Sequence, residues 1–247
     1  MDIEDYTQRY AAQYAEGGFE TVLVAVRRRQ VLESIARHPH RHVLEIGCGL
    51  EPLFASGLDF ESFTVVEPSE DFVANARSVA AGRSDIDVRQ GYFEDVAPRL
   101  QGRSFDFVIA SSLLHEVQDP TRFLRAVRSV CGPETVIHLN VPNVRSFHRL
   151  LALEMGLIES VFEQSEMERR FQRRTRFDLD ALRAMMTAEG MDVIRDGSYL
   201  VKPFTHAQME AMIAAGIVDG RVLAGLERMV AHLPGMGCEI FVEARLR

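Results

Sequence analysis

The sequence has few cysteines, no long apolar segment and no excess of positive charge. Its three cysteines lie far apart in the chain, which argues against a disulfide framework and a zinc site and is typical of a reducing compartment. No apolar run approaches the roughly 18–20 residues of a membrane-spanning helix. The acidic first residues are not followed by the apolar segment of a signal peptide. We therefore expect a cytoplasmic protein without stable membrane association.

The net charge of −8 disfavours a nucleic-acid partner, because proteins that bind phosphate backbones usually carry a basic excess. A chain of 247 residues suits one α/β domain with a generous core. We expect a single domain over 1–247. Its parts are, in order, an N-terminal helical cap (1–38), a ligand-binding core (40–143), a helical lid insertion (144–176) and the C-terminal part of the sheet (177–247).

Short apolar runs alternate with helical patterns along most of the chain, as expected for repeated β-α units. The predicted strands are His42–Ile46, Phe63–Val66, Ile86–Arg89, Phe105–Ile109, Thr135–Leu139, Met191–Tyr199 and Gly237–Arg245. This pattern predicts a doubly wound α/β fold with a mostly parallel, seven-stranded sheet, in which the last two strands pair antiparallel. Sheets of this kind bind ligands beyond the carboxyl ends of their strands.

The most informative segment is the turn after the first predicted strand, which contains Gly47 and Gly49. Glycine adopts backbone angles closed to other residues and lets a ligand approach the main chain. Nicotinamide-binding turns normally have a third glycine, whereas this turn has Glu51 and Pro52 there. An acidic residue would repel a pyrophosphate. A ligand with cationic sulfonium and ammonium groups suits Glu45 and this turn better.

With this turn, the chain resembles the class I S-adenosylmethionine-dependent methyltransferases, whose first motif is E-x-G-x-G. The resemblance covers about residues 40–200 and implies that S-adenosylmethionine is the cofactor. It implies that Glu67 binds the ribose hydroxyls, that Phe93 and Glu94 hold the adenine, and that the segment starting at Ser111 passes beneath the methionine part. The complete implied cofactor set is Glu45, Gly47, Cys48, Gly49, Glu67, Pro68, Ser69, Tyr92, Phe93, Glu94, Ser111 and Ser112.

Other interpretations of these residues remain open from sequence alone. Glu67 also fits a carboxylate favoured by the dipole of a following helix, Phe93 also fits a core residue, and Ser111 and Ser112 also fit helix caps. A protein with an intact cofactor site that serves as a non-catalytic partner is a further alternative.

Methyl transfer needs an aligned acceptor, and a general base helps when the acceptor has a proton to lose. His115 is the first candidate base and His148 the second, with His138 also near the fifth strand; a packing role for His115 is equally open. Metal-dependent members need acidic ligands after strands four and five. Because this chain has Ala110, Ser111 and Asn140 there, we expect no metal.

The predicted acceptor side combines the N-terminal helix, the loop after the fifth strand and the lid. The candidate substrate residues are Tyr6, Tyr10, Asn140, Asn143 and Arg173. The alternatives are a packing stripe for the two tyrosines, a turn for the two asparagines and a solvated helix face for the arginine. We expect methyl transfer to an oxygen or nitrogen of a small metabolite, such as a sugar or natural-product intermediate. A lipid-quinone acceptor is the nearest alternative, and the sequence leaves a homo-oligomer open.

Overall fold

The computed structural model describes residues 3–4, 7–8, 18–164 and 175–247. Its seven strands form one sheet with the order β3-β2-β1-β4-β5-β7-β6. The strands are β1 (His42–Ile46), β2 (Ser62–Glu67), β3 (Ile86–Gln90), β4 (Phe107–Ser111), β5 (Val136–Pro142), β6 (Met191–Tyr199) and β7 (Glu239–Leu246). The first five strands run parallel, and β7 pairs antiparallel with both β5 and β6. The predicted mostly parallel seven-stranded sheet is confirmed.

Helices cover both faces of this sheet. They are α1 (Phe19–Ile35), α2 (Glu70–Val79), α3 (Phe93–Val96), α4 (Pro120–Ser129), α5 (Phe147–Glu154), α6 (Leu179–Ala188), α7 (His206–Ala214) and α8 (Gly220–Arg228). Helices α3, α4 and α6 bury apolar side chains against one face, and α1 and α2 cover the other. Two apolar layers on a central sheet make the doubly wound arrangement.

Helix α1 also joins a second cluster near the end of the chain. Its Phe19, Leu23 and Val26 pack with Met209 of α7 and Phe241 of β7. Helices α7 and α8 lie between β6 and β7 in the chain, so this cluster connects the N-terminal helix to the last part of the fold. The helix therefore has fixed contacts at both of its ends.

The predicted bounds of three strands were wrong by two or three residues. Strand β7 starts at Glu239, two residues later than predicted. Strand β4 starts two residues later than predicted and includes Ser111, and β5 continues through Asn140 to Pro142. Asn140 pairs with Phe241 of β7, so the segment that also fitted a turn is strand. The partner strand lies about a hundred residues away in sequence, which is why local turn propensity misled the prediction.

The predicted lid segment contains helix α5, which begins after Ser146 and ends at Glu154. The guanidinium of Arg149 donates to the carbonyl of Val161 at 3.0 and 2.8 Å, which ties the following turn back to the helix. The second predicted lid helix falls largely on 165–174, outside the described residues. Among the helices that the structure describes, none is both long and apolar enough to cross a membrane.

Candidate cofactor and acceptor site

A cavity of about 770 Å³ opens at the carboxyl ends of β1, β2 and β4. This volume is within the range of about 300–1,000 Å³ that is typical of small-molecule sites. The cavity lies where the strand order reverses between β1 and β4, the position at which open α/β sheets bind ligands. Eleven of the twelve predicted cofactor residues line it, and Ser69 does not; the eleven are Glu45, Gly47, Cys48, Gly49, Glu67, Pro68, Tyr92, Phe93, Glu94, Ser111 and Ser112.

The glycine turn after β1 is held open by long-range hydrogen bonds. Gly47 and Gly49 have φ angles of +77° and +56°, in the left-handed region that favours glycine. A Cβ atom on Gly47 would lie 3.3 Å from Cδ2 of Leu113, so a side chain there would require Leu113 to shift by a few tenths of an ångström. The amide of Asn75 donates to the carbonyl of Leu50 at 2.7 Å, and Arg28 donates to that of Glu51 at 2.7 Å. The turn is therefore shaped before a ligand arrives.

Glu67 ends β2 with its carboxylate anchored by backbone amides. One oxygen accepts from the Ser69 N–H at 2.9 Å and the other from the Gly49 N–H at 3.4 Å. Burial raises the pKa of Glu67, and these amide donors oppose the rise. Ser69 itself caps α2 through Phe72 and accepts from the Thr7 hydroxyl at 2.8 Å, a supporting position behind the cavity wall. Glu67 can accept the two hydroxyls of a ribose in this fixed orientation.

Glu45 lies deeper in the same wall. Its carboxyl accepts from the Leu53 N–H at 3.0 Å. Burial raises the pKa of Glu45 to about 8, although the Leu53 amide and Arg28 lower it. Glu45 is thus mostly protonated at neutral pH and can donate a hydrogen bond as well as accept one.

Aromatic residues form the end of the cavity beyond Glu67. Phe93 is buried, and its ring centroid lies 5.9 Å from that of Phe123 on α4. Tyr92 is about half exposed and lines the cavity beside Glu94. Flat apolar surfaces next to a carboxylate suit a purine ring and its polar edge.

The family of the chain follows from comparison with known proteins. The family described as "Methyltransferase domain" matches residues 16–195, most of the chain. This chain belongs to that methyltransferase family. The predicted class I S-adenosylmethionine-dependent type is confirmed, and S-adenosylmethionine is its cofactor. The glycine turn, the anchored Glu67 and the aromatic end fit the groups of that molecule.

Solved structures share the methyltransferase fold at low sequence identity. A Thermotoga maritima protein described as a possible histamine N-methyltransferase has a TM-score of 0.66 and 18% identity over 98% of each chain. The plantazolicin methyltransferase BamL, solved with S-adenosylhomocysteine, has a TM-score of 0.61 and 11% identity, with 96% of this chain and 90% of that chain covered. At these identities the likeness concerns the fold.

Curated relatives match a shorter part of the methyltransferase. The polyketide synthase–nonribosomal peptide synthetase pyiS of Pyricularia grisea is 35% identical over 113 residues, or 39% of this chain. The hybrid synthetase mycA of Thermothelomyces thermophilus is 30% identical over 121 residues, or 42% of this chain. The matched region spans 3% of the length of each relative.

The segment after β4 turns sharply into the cavity of the methyltransferase. Ser112 has a φ angle of +53°, an uncommon conformation for a residue with a side chain, and its N–H donates to the Asn140 carbonyl at 2.9 Å. Glu116 lines the cavity, whereas His115 does not. Nε2 of His115 lies 3.4 Å from a carboxylate oxygen of Glu116. The carboxylate of Glu116, which was not among the predicted site residues, therefore lines the cavity in place of the predicted His115.

The remaining histidine candidates lie away from the cavity. His148 is close to the Ser146 hydroxyl, at 3.0 Å, and burial lowers its pKa to about 2, assisted by Lys202 and His206. His138 lies within β5, as its place in the predicted fifth strand implies, and is stacked against Phe241 with ring centroids 5.8 Å apart. Burial lowers the pKa of His138 to about 4. Neither lines the cavity.

The two asparagines predicted to contact substrate hold the fold together instead. Asn140 is fully buried in β5 and donates to Glu239 at 3.1 Å. Asn143 donates to the carbonyls of Gly235 and Gly237, each at 2.8 Å, and accepts from the Arg145 N–H at 2.9 Å. Neither lines the cavity, so their placement does not support the substrate role predicted for them.

Helix α1 supplies a wall of the cavity, and although the N-terminal helical part was predicted to shape the acceptor side, none of the α1 residues was among the predicted site residues. Glu20, Val24, Arg27, Arg28 and Val31 recur at helical spacing and all line the cavity. The pattern was visible in the sequence as helical periodicity, but nothing local showed which face of the helix met a ligand.

Three predicted substrate features cannot be placed. Tyr6, Tyr10 and Arg173 lie outside the described residues, as does most of the arginine-rich segment. Within the part of the chain that the structure describes, no group of three histidine, cysteine or acidic residues is arranged to hold a metal ion.

Proposed function

We propose that this protein transfers the methyl group of S-adenosylmethionine to an oxygen or nitrogen of a small metabolite. The observation that carries the proposal is the cavity that joins the glycine turn and Glu67 to a second, polar region on α1. The curated relatives are natural-product synthetases, which favours a natural-product intermediate as the acceptor.

Different residues of the cavity would hold different parts of the cofactor. Glu67 would hold the ribose, Phe93 and Glu94 the adenine, and the glycine turn with Ser111 and Ser112 the methionine part. When bound, the cofactor supplies a methyl group on a cationic sulfonium, which leaves as a neutral thioether. The cavity walls would align the acceptor and exclude water, and this accounts for much of the rate enhancement.

We propose that Glu116 accepts the acceptor's proton. A Glu116 oxygen would take the proton from the acceptor atom as that atom gains the methyl group. His115, behind Glu116, is a positioning residue in this scheme. This modifies the predicted role of His115 as the base and leaves His148 without a catalytic role.

The test of methyl transfer uses a labelled methyl donor and a panel of hydroxylated and amino metabolites. Glu116→Gln is expected to lower kcat by about 10²–10⁴-fold while leaving the affinity for S-adenosylhomocysteine unchanged. Glu134→Gln, a change at an exposed residue that does not line the cavity, is the control. An undiminished kcat in Glu116→Gln would rule out the proton transfer, and no turnover with any metabolite would count against the small-molecule acceptor.

A further inference from the structure

Arg27 presents one edge of its guanidinium to the cavity while the other edge is held in place. Nε donates to both carboxylate oxygens of Glu239 at 3.0 Å, and Nη2 also contacts that carboxylate. Among the described residues, Nη1 has no hydrogen-bond partner, and the Arg27 side chain is 13% exposed. A guanidinium fixed in this way is prepared to bind an anionic group through its remaining donors.

The carboxylate that holds Arg27 is itself rigidly placed. Glu239 also accepts from the Tyr199 hydroxyl and from Asn140. Burial alone would raise the pKa of Glu239, but the charge and hydrogen bonds of Arg27 lower it to about 2. The pair is therefore ionised, and the orientation of Arg27 is set by β5, β6 and β7 together.

Glu20 lies about two helical turns before Arg27 on α1 and also lines the cavity. Its carboxylate is 3.9 Å from Nη2 of Arg27 and 3.2 Å from Nε2 of His206. Burial would raise the pKa of Glu20, but the hydrogen bond from His206 and the charge of Arg27 lower it. With a side chain that is 20% exposed, Glu20 offers a negative charge to the cavity.

The pair offers one charge of each sign to the cavity. Nη1 of Arg27 is a cationic donor without a hydrogen-bond partner among the described residues, and the Glu20 carboxylate is an anionic acceptor 3.9 Å from Nη2 of the same guanidinium. A guest with one charge of each sign matches both groups, whereas a guest with a single charge leaves one of them unmatched.

We propose that Glu20 and Arg27 form a subsite for an α-amino-carboxylate group, with the ammonium on Glu20 and the carboxylate on Nη1 of Arg27. The inference rests on the proposed function for its assignment to the methyl acceptor. Strand β7 lies three strands from β1, about 14 Å at normal strand spacing, which favours the acceptor over the cofactor. The methionine part of the cofactor carries the same group, so the experiment separates these two sources.

The variants are Glu20→Gln and Arg27→Lys, with Arg29→Lys as the matched control. Lysine keeps a charge to pair with Glu239 but lacks the second edge of the guanidinium. Arg29 lies on the same helix, pairs with Glu227 and is half exposed. Titration calorimetry measures the affinity for S-adenosylhomocysteine and for 5′-methylthioadenosine, which lacks the amino-carboxylate group. Saturation-transfer NMR measures the binding of the common L-α-amino acids, added as a mixture, with and without saturating S-adenosylhomocysteine.

If the acceptor supplies the group, the amino acids bind the wild type and Arg29→Lys. Their affinity then falls by about tenfold or more in both test variants, while S-adenosylhomocysteine binds unchanged. If the cofactor supplies it, S-adenosylhomocysteine affinity falls in both variants and that of 5′-methylthioadenosine does not. Unchanged binding of both ligand classes would overturn the subsite. Failure of the wild type to bind S-adenosylhomocysteine would instead count against the proposed function.

Discussion

The two ends of the cavity are built in different ways. At the cofactor end, Glu67 is anchored by backbone amides, one of them only two residues away. At the α1 end, Arg27 is anchored by the side chain of Glu239, 212 residues away. The first arrangement is a property of a short segment, and the second exists only when the whole sheet has formed. The cofactor end is therefore expected to depend on local geometry and the α1 end on tertiary structure.

The largest effect is expected from Glu239→Gln, which leaves the buried Arg27 without its counter-charge. We expect a loss of about 3–5 kcal/mol in the free energy of unfolding, measured by denaturant titration. Glu61→Gln, which removes an exposed partner of Arg41, is the control and should change stability little. An equal loss in both variants would contradict the structural role of the Glu239 pair.

This difference should also depend on pH. Since the pKa of Glu239 is lowered to about 2 from 4.5, its contribution is present above about pH 4.5 and is lost as the pH falls toward 2. The difference in the free energy of unfolding between the wild type and Glu239→Gln should therefore decrease as the pH falls below about 4.5.

The next effect concerns binding at the cofactor end. Glu67→Ala is expected to weaken S-adenosylhomocysteine binding by about 1–3 kcal/mol, because it removes a charge-assisted contact to the ribose. Calorimetric titration measures the change, with Glu70→Ala, an exposed residue in the first turn of α2, as the control. Unchanged affinity would remove Glu67 from the cofactor site.

Alanine substitutions at two glycines distinguish the effect of backbone strain on stability from the effect of an added side chain on ligand binding. Gly47 and Gly57 have φ angles of +77° and +76°, but only Gly47 lines the cavity. Alanine at either position should lower stability by about 1–2 kcal/mol. Only Gly47→Ala should also weaken S-adenosylhomocysteine binding, and equal affinities in the two variants would show that the turn does not contact the ligand.

The smallest structural change is Glu45→Gln, which keeps an acceptor for the Leu53 N–H. Because the pKa of Glu45 is raised to about 8, the folded wild type loses stability as the pH rises from about 4.5 to 8. The variant should lack this decline, so its melting temperature should exceed that of the wild type at pH 8 and match it at pH 5. Parallel pH profiles would mean that Glu45 is ionised in the folded protein.

The same contrast explains what the sequence could predict. The order of the strands, the glycine turn after β1 and the position of Glu67 at the end of β2 follow from local patterns and a motif, and the structure has them where they were predicted. Asn140 was misplaced because its partners, Glu239 and Phe241, come from a strand near the end of the chain. The cavity face of α1 was missed for the same reason, since a helix has several faces and only tertiary packing selects one.

The most direct test of the account is calorimetric titration of the purified protein with S-adenosylhomocysteine, alongside NAD⁺. The account predicts binding of S-adenosylhomocysteine at micromolar concentration and none of NAD⁺. Tight binding of NAD⁺ by folded protein, with no response to S-adenosylhomocysteine, would contradict the assignment of the glycine turn and the function built on it.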